Sequence, residues 1–172
     1  MCVLTLCVCC TLCVFVVVVV VVVVCVSVSC NAVNSGATSA RLELTRGRTF
    51  NSNPINNWGG SVVVDIDDAF SGSTALQSSD ATAAADVSNA ASSVSFSGTK
   101  LVVEFTSSAA LAAIDGRVQF RIRMSTRSNG NGRPDSTCFY SAESGSRAPS
   151  LSLGTGGSTG GGDGGGNTGG GD

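Results

Sequence analysis

The stretch Gly116-Arg117-Val118-Gln119-Phe120-Arg121-Ile122-Arg123-Met124 decides the fold. Val118, Phe120, Ile122 and Met124 alternate with Arg117, Gln119, Arg121 and Arg123. Side chains on a β-strand point to opposite faces with a period of two. A helix would mix the two sets around its circumference. The stretch therefore reads as a strand with one apolar face and one face of three guanidinium groups and an amide. The apolar face requires a core. The other requires water or an anionic partner.

Working outward, Ala40-Arg41-Leu42-Glu43-Leu44-Thr45 alternates in the same way, with Leu42 and Leu44 inward. Ser61-Val62-Val63-Val64-Asp65-Ile66 is β-branched and predicts a central strand. Further short strands are predicted at Ser93 to Phe96, Leu101 to Phe105, Thr137 to Ser141 and Ser150 to Leu153. Ser107 to Ile114 opens with Ser-Ser and carries Ala-Leu-Ala-Ala, which suits a short capped helix. Ser128-Asn129-Gly130-Asn131-Gly132 predicts a tight hairpin turn, with Thr137 to Ser141 as its return strand. Phe70 to Ala91 is small and polar and predicts an irregular excursion, with one helical turn near Ala81 to Asp86. Many short strands joined by turn signals make the chain all-β, an antiparallel sandwich or barrel.

This domain spans residues 31–153 of 172. Residues 154–172 are Gly, Ser, Thr, Asn and Asp and read as a disordered Gly-rich linker to a further module. Residues 1–30 are almost purely apolar, with nine consecutive valines from Val16 to Val24. As a helix this hydrophobic segment would run roughly 40 Å, more than the roughly 30 Å of bilayer hydrocarbon. Three readings stand for it: a secretory signal peptide, an uncleaved membrane anchor, or translated low-complexity sequence. The first lacks a basic start, since the first positive charge is Arg41. The second would place the domain in the cytoplasm, because Arg41, Arg46 and Arg48 follow the run.

Formal charge is −2, so bulk charge does not point to nucleic acid. The chain has no histidine, which removes the commonest general base and zinc ligand. Seven of the eight cysteines fall in the first thirty residues, without the turn-flanked pairs of a zinc site. Asp65, Asp67 and Asp68, or Asn129, Asn131 and Asp135, offer oxygen ligands for calcium. Neither set forms a recognisable ligand loop. The expectation is no cofactor, no metal and no catalysis.

The segments Gly116-x-x-Gln119-Phe120-Arg121-Ile122-Arg123, Asp135, Phe139-Tyr140-Ser141-x-Glu143 and Arg147-x-Pro149-x-Leu151 resemble the carboxy-terminal signature of the DNRLRE / disaggregatase-related domains. That group includes an alginate-binding carbohydrate-binding-module family. Val64-Asp65-Ile66, Phe70-Ser71-Gly72, Ala75-Leu76 and Ser79-Asp80 resemble its middle section, and Ala40-Arg41-Leu42 an early strand. The likeness covers about residues 37–153. It implies a jelly-roll-like β-sandwich, extracellular and non-catalytic. The family opens with a further strand pair, whose place here is taken by the Val/Cys tract.

Arg117, Arg121, Arg123, Arg127 and Arg133 are five of the ten basic residues, inside a stretch with no acid. Guanidinium forks bind carboxylates bidentately, so an Arg-bearing sheet can hold a uronate polymer. The competing reading is a solvated face whose arginines pair with Asp65, Asp67 or Glu104. The resemblance favours the first. Trp58, in a Gly/Asn loop, and Tyr140, beside Phe139, are candidates for stacking on sugar rings; for Tyr140 core packing competes. The candidate glycan-binding residues are thus Arg117, Gln119, Arg121, Arg123, Trp58 and Tyr140. The expected function is an exported carbohydrate-binding module for an acidic polysaccharide, either secreted or tethered through residues 1–30. The alternatives are a structural or adhesive β-sandwich with no glycan site, or a truncated fragment.

Overall fold

The structure is a computed structural model. The residues it describes are 3–7, 21–29, 36–50, 61–73, 77–115, 118–125, 136–140 and 142–155. Among these residues, nine strands and one short helix follow one another: β1 (Val3–Cys7), β2 (Val21–Ser29), β3 (Ala37–Phe50), β4 (Val62–Asp67), β5 (Ser93–Ser97), β6 (Lys100–Phe105), α1 (Ser108–Ala113), β7 (Gln119–Met124), β8 (Ser136–Phe139) and β9 (Ser150–Thr155). All strand pairs are antiparallel. One sheet has the order β1-β2-β7-β4. The other runs β5-β6-β3, and the far edge of β3 is shared by β9 and β8. The fold is all-β, as the alternation predicts.

Strand β3 buries Ala40, Leu42 and Leu44 and turns Arg41, Glu43 and Thr45 outward. Its buried row meets Leu101, Val103 and Phe105 of β6 and Leu151 of β9. Val64 and Ile66 of β4, Val118, and Phe120 and Ile122 of β7 complete the core from the other sheet. The rings of Phe105 and Phe120 lie 5.5 Å apart, tilted by 34°, and join the two sheets. Tilted aromatic pairs at this spacing add to simple area burial. Helix α1 closes one end, placing Ala110 and Ile114 in the same core. Ser107 caps it as predicted, its Oγ accepting from the Ala110 amide at 3.2 Å.

Four expectations are corrected. The hydrophobic helix over residues 1–30 is replaced, where described, by the strands β1 and β2. No helix among the described residues is long and apolar enough to cross a membrane. β-branched valine is a poorer helix former than leucine or alanine and suits the pleated sheet. The edge of β7 also supplies partners: Val21 to Val24 pair with Arg123 to Phe120. The tract therefore provides a neighbouring strand for β7. Second, β4 is an outer strand of its sheet in place of a central one. Its free side is partly covered by the loop, through mutual backbone bonds of Ile66 with Val87 and the Ala90 amide on the Val64 carbonyl. Third, β8 pairs with β3 in the opposite sheet, so it is not a hairpin partner of β7. The turn at residues 128–132 lies outside the described residues. Fourth, β9 continues to Thr155, two residues into the segment read as linker.

Candidate functional site

Where described, at residues 70–73 and 77–91, the excursion expected over Phe70 to Ala91 is irregular, with short 3₁₀ turns at Phe70–Gly72 and Ser78–Ala81. The second turn comes earlier than the one expected near Ala81. Its start is fixed by Gln77 and Asp80, whose side chains accept each other's backbone amides. A loop without ladder partners must satisfy its backbone groups some other way. Here the polar faces of β7 and β4 do it. Gln119 Oε1 accepts from the Phe70 amide at 3.0 Å, and its Nε2 donates to the Ser73 carbonyl at 3.3 Å. Arg121 Nη1 donates to the Asp80 and Ala83 carbonyls at 2.9 and 2.7 Å. Asp65 Oδ1 accepts from the Asn89 amide at 2.9 Å.

Asp65 is the hub. It lies directly opposite Arg121 in the β4–β7 register and diagonal to Arg123. Its Oδ2 accepts from Arg121 Nε at 2.9 Å and lies 2.8 Å from Nη2. The same oxygen takes Arg123 Nε at 2.9 Å. The Asp65 side chain is fully enclosed and that of Arg121 is 7% exposed; Arg123 reaches 36%. Arg121 also lies over the Phe70 ring at 4.6 Å, a cation–π contact shielded from water. Burial pushes the Asp65 carboxyl up, but the Arg123 hydrogen bond, the Asn89 amide and Arg121 outweigh it and hold the carboxyl below its ordinary range.

These placements bear on the proposed glycan face. Gln119 and Arg121 are buried, under the excursion. The strand is amphipathic as read, yet its polar face meets a second protein layer in place of solvent. Arg123 is half-buried and already shares Asp65. Arg117 and Trp58 lie outside the described residues. Tyr140 is half-buried, and Arg147 covers its ring at 4.1 Å while donating from Nη1 to the Tyr140 hydroxyl at 2.8 Å. A sugar stacking on that face would have to displace the guanidinium. The structure thus joins Arg121 and Arg123 to Asp65, the pairing weighed above as the alternative, and leaves Tyr140 apart from them.

Two constellations escape the sequence reading. On the outward face of β3 and β6, Arg41 bridges Glu43 and Glu104, each at 2.8 Å, and Lys100 meets Glu43 at 2.6 Å. The Lys100 and Arg41 contacts hold the Glu43 carboxyl below its usual range. Exposed Ser93, Ser95, Ser97, Ser150 and Ser152 flank this lattice. The signal was present in the outward phase of Arg41 and Glu43, but their partners sit on another strand. The second is Asp67, Asp68 and Asp86, whose carboxylate oxygens approach within 4.8 Å of one another. Asp65, grouped with the first two in the sequence, belongs elsewhere; Asp86 joins them from the loop. Burial, then the Asp86 and Asp68 charges, raise the Asp67 carboxyl despite amide bonds from Ala69 and Asp86.

Compared with protein families, curated proteins and solved structures, the chain matches none.

Proposed function

We propose that the chain is a non-catalytic β-sandwich module with a structural or adhesive role, in which the basic strand braces the fold and holds no glycan. One observation carries this reading: Arg121, the centre of the cationic face, is spent on Asp65 and on the Asp80 and Ala83 carbonyls. A guanidinium with such partners has no fork left for a uronate carboxylate. The exposed lattice of Arg41, Glu43, Lys100 and Glu104 is likewise paired within itself. The resemblance to the DNRLRE / disaggregatase-related group supports a sandwich used as a surface module, and would make it a jelly roll.

Affinity gel electrophoresis of the whole chain tests the proposal, with alginate, polygalacturonate and a neutral glucan in parallel gels. Unchanged mobility in all three is the expected result. Retardation by either polyuronate that added salt abolishes would overturn it, since exposed ionic contacts are screened. Replacing Arg123 or Arg147 by Ala would then locate the glycan.

A further inference from the structure

Residues 77–90 cross the polar side of β4 and β7 with little apolar attachment. Ala90 is the buried hydrophobic residue of the segment, and Val87 is half-buried. Hydrogen bonds add to this hold. Arg121 takes the Asp80 and Ala83 carbonyls, and Asp65 takes the Asn89 amide. Ile66 and Val87 exchange backbone bonds of 2.8 and 3.0 Å, and the Ala90 amide reaches the Val64 carbonyl at 2.7 Å. Asp80 is fully buried; its Oδ2 accepts from the Gln77 amide, while Oδ1 has no hydrogen-bond partner among the described residues. An unsatisfied buried acceptor raises the free energy of the closed arrangement, and water would relieve it once the segment lifts. Segments with few apolar contacts occupy the low end of local stability.

We propose that residues 77–90 form a strap that lifts as a unit without global unfolding and uncovers Asp65 and Arg121. The closed strap hides Asp65 and Arg121; the lifted strap presents Arg121 beside the already half-exposed Arg123 on one sheet face. This stands apart from the structural reading, because the strap's motion is measured with no glycan present.

Native-state hydrogen exchange of the full chain, followed by NMR over a series of low urea concentrations, tests it. The Ile66, Val87, Asn89 and Ala90 amides should be protected about 100-fold less than the best-protected amides of β3 and β6, as sub-global opening requires. Their exchange should hardly respond to urea, because lifting a strap exposes little surface. Ile66 is the telling reporter: it is fully buried, yet should exchange with the strap. Equal protection and an equal urea slope for both sets would overturn the proposal. Phenylglyoxal, mapped by peptide digestion, should modify Arg121 in native protein without urea. Modification of Arg121 only at unfolding concentrations would overturn the uncovering.

Discussion

Asp65 is the residue whose loss should cost most for its size. It answers two guanidiniums and one amide from inside the fold. Asp65→Asn would leave the Arg121 charge buried and poorly compensated, at a cost of about 3–5 kcal/mol, read from the urea midpoint near neutral pH. Its titration has a definite sign. A carboxyl held below its unfolded value of about 3.9 contributes stability that is full above that value. The contribution drains away as pH falls through that value toward the lower folded one. Thermal melts of the wild type should therefore drop steeply on the acid side, and Asp65→Asn should flatten that limb. Asp67 behaves oppositely, because burial and then the neighbouring Asp86 and Asp68 raise its carboxyl. Its folded form binds the proton more tightly, so its contribution is present at low pH and lost as pH rises through the raised value. Asp67→Asn keeps an acceptor for the Ala69 amide, now 2.8 Å from Oδ1. Its melting temperature should exceed the wild type's near neutral pH, with the gap closing in acid.

At the scale of elements, β7 is held between β2 and β4. Val21 to Val24 supply one of its two hydrogen-bonded edges. Proline donates no ladder bond and is confined to edges and bulges. Val22→Pro with Val23→Pro together should unpair that edge and leave it open to other chains. The expected outcome is a fall in soluble monomer, measured by sedimentation of the lysate and size-exclusion chromatography; undiminished monomer would remove β2 from the working fold. Helix α1 spans only Ser108–Ala113, too short to stand without tertiary support. Ser107→Ala, which removes the cap on the Ala110 amide, should cost about 0.5–2 kcal/mol by urea denaturation.

At the scale of the whole molecule, both sheets empty their apolar rows into one core. Phe120 is fully buried, in contact with Phe105 across the sheets. Phe120→Ala should cost about 3–5 kcal/mol, because the cavity adds to the lost transfer energy. The loss should appear in both sheets at once, as coincident transitions by far-ultraviolet and near-ultraviolet circular dichroism.

Alternation alone determined much of this protein. The phases of residues 40–45 and 118–123 name the buried apolar residues of β3 and of β7 with the residue before it, and Ser107 names the start of α1. These are local matters, settled by where successive side chains must point. The destination of the polar face was decided only by tertiary structure. A row of Gln and Arg has the same period whether it meets water or a second layer of protein. What buries Arg121 is Asp65, 56 positions away, and two carbonyls of a loop about 40 positions away. The valine tract shows the same division. Its apolarity was plain, but strand over helix followed from β-branching together with the vacant edge of β7, a partner that exists only once the chain has folded.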